Sequence, residues 1–162
     1  MKKISITFFA CVLLAVSVQT GFAQNEKENV IKTARAFETA PLAKETKEMY
    51  KKAFVWIAET DQVTVGLCGG VVGLFSDKKY KNMDELLGAY EVGMAAFKLE
   101  NPAKASDEMT AQVTGVQTVL KTYQAIMKEK PKAKSETIDA LLAKNNAGEL
   151  EALIKTIDCS RR

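Results

Sequence analysis

Apolar residues recur at intervals of three and four along most of the chain, which is the spacing of one face of an α-helix. The clearest pattern consists of Met109, Val113, Val116, Leu120, Tyr123 and Met127. It predicts a helix of about five turns with a narrow apolar seam. Lys130 and Pro131 end the pattern, because the residue before a proline is steered out of helical geometry.

Weaker patterns of the same kind predict further helices on both sides of this one. They lie around residues 30–38, 41–59, 82–101, 135–147 and 150–158. Pro41 is suited to the first turn of its helix, Ser135 to an N-cap and Gly148 to a left-handed helix end. The sequence therefore predicts an all-α, single-domain helical bundle of about six to seven helices.

Residues 63–75 (VTVGLCGGVVGLF) contain four of the nine glycines and no charged side chain, and they allow two interpretations. As a hairpin, Gly69 and Gly70 would be a two-residue turn between β-branched strands. As a helix, Gly66, Gly69, Gly70 and Gly73 would share one face, against which a neighbouring backbone could pack closely. We favour a buried, glycine-faced helix at about 62–75, in which these glycines form a helix-packing surface, and keep the hairpin as the alternative.

The first 23 residues have the layout of a secretory signal peptide: Lys2 and Lys3, an apolar run to about Val18, and small residues before a cleavage point after Ala23. The apolar run is shorter than the roughly 20 residues that a spanning helix needs, and polar residues interrupt it. We expect a periplasmic or secreted protein, consisting of residues 24–162 as one helical domain, with no stable membrane insertion after cleavage.

Charge excludes one class of partner. The full chain has a net charge of +3, and the predicted signal removes two lysines and no acid, which leaves +1. Basic and acidic residues are mixed along the remaining chain. This balance leaves no strong field to attract nucleic acid or an anionic membrane, so we expect no nucleic-acid partner.

Cysteine usage predicts a disulfide. Cys11 leaves with the signal, and Cys68 and Cys159 remain. Two cysteines in an exported chain favour a bridge, because oxidising compartments convert thiols to disulfides. The alternative is one buried thiol and one thiol near a frayed C-terminus.

Candidate catalytic chemistry is sparse. The chain has no histidine, which removes the commonest general base and metal ligand. Paired acids occur at Glu59 and Asp61, at Asp84 and Glu85, and at Asp107 and Glu108, all near predicted helix ends where acids are favoured for structural reasons. We expect no cofactor, no metal and no enzymatic activity; a carboxylate- or thiol-dependent enzyme is the alternative.

Aromatic residues offer one further candidate site. Most lie on apolar stripes and are expected in the core. Trp56 and Tyr90 are placed where they could contact a small apolar ligand between helices. The partner is therefore expected to be an envelope protein or a small apolar ligand.

A cysteine followed by a glycine-containing segment, and a tyrosine ahead of a proline in TYQAIMKEKP, resemble features of small periplasmic helical immunity proteins that neutralise secreted amidase toxins. These residues cover a small part of the chain. The resemblance implies a toxin-immunity role, which we keep as an alternative to an exported, non-enzymatic binding or interaction module.

Overall fold

Helices account for most of the structure, a computed structural model that describes residues 25–159. Within that range the chain forms seven α-helices, one short 3-10 helix and no strand, which confirms the all-α bundle. Helix α1 covers residues 25–39. The other α-helices are α2 (Lys44–Glu59), α3 (Gly69–Phe75), α4 (Met83–Glu100), α5 (Glu108–Glu129), α6 (Glu136–Asn146) and α7 (Leu150–Lys155), and the 3-10 helix is Pro102–Lys104. The predicted signal peptide lies outside the described residues.

Helices α4 and α5 form the central pair, and two glycines let them approach closely. A Cβ added at Gly93 would lie 2.6 Å from the Thr118 hydroxyl oxygen, and one added at Gly115 would lie 2.7 Å from Met94 Cγ. Side chains larger than hydrogen would therefore force these helices apart.

Apolar cores lie on both sides of α4. The larger core is built from helices α3 to α7, and its largest fully buried side chains include Phe75, Tyr90, Leu120 and Tyr123. The smaller core joins α1, α2 and the opposite side of α4, where Ala89, Val92 and Ala96 are buried. Burial on two sides explains why α4 is apolar around most of its circumference.

Helix ends follow the predicted chemistry in α6 and depart from it in α2. The Ile138 N–H donates to Ser135 Oγ at 3.4 Å, and Gly148 has a φ of 74°, as predicted. Helix α2 begins at Lys44 rather than Pro41. The Thr46 hydroxyl donates to the Ala40 carbonyl at 2.7 Å, which stabilises a turn over residues 40–43 before the helix starts.

The glycine-containing stretch is helical rather than a hairpin, but the helix is shorter than predicted. It covers only Gly69–Phe75, so the predicted start near residue 62 is wrong. Residues 61–68, here called the linking segment, form neither helix nor strand, and Cys68 has an extended backbone with φ −90° and ψ 111°. Contacts from α4, α5 and the C-terminus hold this segment away from helical geometry.

Candidate functional site

The linking segment has exposed backbone groups that form no hydrogen bond with other backbone groups. In the described part of the chain, no N–H or C=O group of residues 63–67 forms a hydrogen bond with another backbone group. Thr64, Gly66 and Leu67 are exposed, whereas Val63 and Cys68 are buried. The segment therefore presents to solvent a strip of main chain that belongs to no helix or strand.

Two buried side chains hold this strip from behind. Lys98 of α4 donates from Nζ to the Thr64 carbonyl at 2.7 Å, and it also pairs with Glu108. Gln112 of α5 donates from Nε2 to the Gly66 carbonyl at 3.0 Å. The helix pair thus fixes two carbonyl groups of the segment.

These supports are energetically expensive. The Lys98 side chain is only 4% exposed, and burying an ammonium group costs several kcal/mol unless it is paired and hydrogen-bonded. Gln112 is 7% exposed, and its Oε1 atom is buried without any hydrogen-bond partner in the described residues. An orphaned buried acceptor of this kind is unusual in a folded protein.

A disulfide closes the end of the segment. Cys68 and Cys159 are joined with a Cα–Cα distance of 5.2 Å, which confirms the predicted pair. The bridge ties the N-terminus of α3 to the chain that follows α7. Disulfides of this type are typical of oxidising compartments.

The four glycines predicted as a helix-packing surface are exposed instead. A Cβ at Gly66, Gly69 or Gly73 would meet nothing within 4 Å, so for these three the prediction is wrong. Gly70 does lie against the chain: an added Cβ would be 2.5 Å from Ile157 Cγ2. The reason is that α3 turns its Val71 and Phe75 face to the core.

The glycines that do pack between helices are Gly88, Gly93 and Gly115, which the sequence interpretation missed. Each is embedded in a strongly apolar helical pattern rather than in a glycine cluster. That position inside a seam is the signal that could have identified them.

A shallow hollow of about 490 Å³ lies beside the linking segment. Its walls are Gly66, Leu67, Cys68, Gly69, Glu108, Gln112 and Cys159. The hollow combines the exposed side chain of Leu67 with the carboxylate of Glu108, which accepts hydrogen bonds. It can receive a side chain that brings a hydrogen-bond donor.

Trp56 and Tyr90, the candidate ligand contacts, are not brought together. Trp56 is partly buried against the smaller core, whereas Tyr90 is fully buried in the larger one, with its ring 5.5 Å from that of Phe75. Burial raises the pKa of the Tyr90 hydroxyl. These two residues do not line a common apolar cavity.

Three of the six candidate carboxylates have structural partners in the described chain. Asp107 caps α5 by accepting the Thr110 N–H at 3.0 Å, and this bond lowers its pKa. Glu85 pairs with Lys47, and Glu108 pairs with Lys98. Over residues 25–159, no group of three or more His, Cys, Asp or Glu side chains is placed to hold a metal ion.

No helix in the described range is long and apolar enough to cross a bilayer.

Comparison with known proteins gives no relative. No protein-family model matches the chain, and no curated protein or solved structure matches it either.

Proposed function

We propose that this protein is an exported, non-enzymatic interaction module of a bacterial envelope, and that it binds a protein partner through the linking segment. The observation that carries the proposal is that the main chain of residues 63–67 forms no backbone–backbone hydrogen bond in the described chain. Extended segments with free N–H and C=O groups are templates for pairing with a second extended chain.

The supports behind the segment favour a docking role over an accidental loop. A buried lysine, a buried glutamine and a disulfide all hold this short stretch. Loops that are fixed in this way by a rigid scaffold commonly carry function.

The exposed groups define the chemistry of the partner. An extended peptide would pair with the free backbone groups, and an apolar side chain of the peptide would pack on Leu67, which is 54% exposed. A donor from the peptide would bond to the Glu108 carboxylate at the rim of the hollow. The partner is therefore a protein with an extended segment that carries apolar and N–H or O–H groups.

Export is supported by two independent features. The first 23 residues have a signal-peptide layout, and the cysteine pair forms the disulfide that an oxidising compartment favours. A periplasmic or secreted location follows from this proposal.

The alternative functions have less support. A thiol enzyme would need a free thiolate, and Cys68 is joined to Cys159. A small apolar ligand between Trp56 and Tyr90 is disfavoured because the two residues lie in different cores. A toxin-immunity role remains a special case of protein binding.

Amide hydrogen exchange tests the docking segment directly. The 162-residue protein is immobilised and used to capture partners from envelope extract. Amide exchange at residues 63–67 is then compared with and without the captured partner. We expect these amides to exchange rapidly in the free protein and slowly in the complex.

Two variants, at side chains of similar exposure, test whether the partner binds to the linking segment or to another surface. Leu67→Asp places a charge on the segment, and Val55→Asp does the same on α2, where Val55 is 51% exposed. We expect only Leu67→Asp to abolish capture. Capture that survives Leu67→Asp, without slowed exchange at 63–67, overturns the proposal. If the captured partner is an amidase that loses activity on binding, the immunity role is supported.

A further inference from the structure

Two lysine-rich loops lie side by side at the other end of α3. One connects α3 to α4 and the other connects α5 to α6. An open groove of about 830 Å³ lies between them. The lining residues are Lys79, Tyr80, Lys81, Asn82, Lys130, Pro131, Lys132, Ala133 and Lys134.

Polar and aromatic contacts fix the two loops relative to each other. The Ser135 hydroxyl donates to Asp77 Oδ2 at 2.7 Å across the loops, and the Ser135 N–H donates to the Tyr123 hydroxyl at 3.0 Å. The Tyr80 and Tyr123 rings lie 5.8 Å apart. The groove is therefore a formed feature of the fold rather than the accidental meeting of two free loops.

Most lysines of the groove have no acidic partner. Lys134 lies 3.6 Å from Asp139, but no carboxylate of the described chain lies within 4.0 Å of the other four ammonium groups. Some lysines elsewhere are paired: Lys47 with Glu85, and Lys121 with Glu38. The groove differs from the rest of the surface in bringing five lysines and no acidic residue into one lining.

The nearest acids are already engaged. Asp77 accepts hydrogen bonds from Ser135 and from the Lys79 N–H, and Asp139 accepts one from the Tyr123 hydroxyl. These bonds hold the loops together. Both acids lie beside the groove, whose own lining holds five lysines and no acid and therefore attracts an anion from solution.

We propose that this groove binds a ligand that carries two or more phosphate groups. A phosphate monoester carries a charge of about −1.5 to −2 at neutral pH and three acceptor oxygens, so two such groups match four ammonium groups. Lysine serves as a point-charge phosphate ligand in many proteins. The ring of Tyr80 and the side chains of Pro131 and Ala133 give the groove an apolar part that can contact the body of the ligand.

Calorimetric titration with inorganic pyrophosphate at low ionic strength tests the charge match. The groove variant combines Lys130→Gln and Lys132→Gln. The matched control combines Lys44→Gln and Lys104→Gln. These two control lysines are exposed, lie outside the groove and form no ion pair in the described chain. We expect saturable binding that the groove variant weakens about three- to tenfold and the control changes less than about twofold. Equal weakening by both variants overturns the proposal.

A second titration with citrate tests whether the groove prefers phosphate groups to carboxylate groups. Comparison of pyrophosphate with lipid vesicles tests whether the phosphate groups belong to a soluble ligand or to a lipid. Binding of citrate as tight as that of pyrophosphate overturns the phosphate assignment. Flotation with vesicles of phosphatidylcholine and cardiolipin in a 4:1 ratio, against phosphatidylcholine alone, tests a lipid headgroup. Groove-dependent binding to pyrophosphate alone indicates a soluble ligand, and groove-dependent binding to cardiolipin vesicles indicates a lipid. Binding to neither overturns the proposal.

Discussion

Glu91 illustrates how burial at one residue becomes a property of the fold. It lies partly buried between α2 and α4, where its carboxylate accepts a hydrogen bond from the Tyr50 hydroxyl at 2.9 Å. Burial raises the pKa of Glu91, and the bond from Tyr50 acts in the opposite direction without cancelling it. The protonated form is therefore favoured in the folded state relative to the unfolded chain.

This raised pKa makes stability depend on pH. The contribution of Glu91 is fully present below its unfolded pKa and is lost as pH rises through its higher folded pKa. Glu91→Gln removes the titration and keeps an acceptor for Tyr50. We expect the unfolding free energy of the variant minus that of the wild type to increase as the pH rises from about 4 to 7.

Urea unfolding at both pH values measures the difference, with Glu45→Gln on the exposed face of α2 as the control. A gap between Glu91→Gln and the wild type that stays constant over this pH range contradicts the assignment.

Lys98 is a second residue with a measurable effect, because it holds the linking segment through the Thr64 carbonyl. Lys98→Met keeps the length of the side chain but leaves the Thr64 carbonyl without its donor, while Glu108 can be solvated because it is largely exposed. We expect a loss of about 1.5–3 kcal/mol in unfolding free energy, the range for a hydrogen bond to a charged group. We also expect faster cleavage within residues 61–68 by a non-specific protease. Lys104→Met, at an exposed lysine, should leave both unchanged.

At the scale of elements, glycine has opposite effects in α3 and in the α4–α5 pair. Gly115→Ala inserts a methyl group against Met94 and Tyr90, whereas Gly73→Ala projects into open space. We expect Gly115→Ala to lower the unfolding free energy by about 1–3 kcal/mol through overpacking. Gly73→Ala should raise it by up to about 1 kcal/mol through helix propensity. Thermal and urea unfolding measure both, and equal effects of the two substitutions would contradict the packing of α4 on α5.

The long helices could be predicted from the sequence because their burial is periodic. Val116, Leu120 and Tyr123 fall on the predicted seam of α5 and are buried. The linking segment could not be predicted in the same way. Its β-branched residues and glycines fit both helix and hairpin locally, and the outcome is decided by hydrogen bonds from distant residues.

At the scale of the whole molecule, α4 separates two cores and its C-terminal half supports the linking segment. The sequence shows Lys98 as one more charged residue, and nothing in its spacing distinguishes a buried lysine from the solvated ones. The lysine groove is equally hidden in the sequence, because its two walls, residues 79–82 and 130–134, are remote in the chain. Sites that combine distant loops are not visible to local patterns.

The disulfide is the covalent link between the linking segment and the C-terminus, and its removal tests how far the fold depends on it. The chain-entropy model gives about 4–5 kcal/mol for a loop of this length, and removal of native bridges typically costs about 2–5 kcal/mol. Cys159 is exposed, so Cys159→Ser removes the bridge with little change in packing. We expect it to lower the unfolding free energy by about 2–5 kcal/mol.

The double variant supplies the control. Cys68→Ser and Cys159→Ser break the same bond, so the double variant should lose little more than either single variant, apart from the cost of a serine at the buried Cys68 position. Reduction of the wild type should reproduce the loss. Additive losses, a loss below about 1 kcal/mol, or two reactive thiols in the oxidised denatured protein would each contradict a stabilising bridge between Cys68 and Cys159.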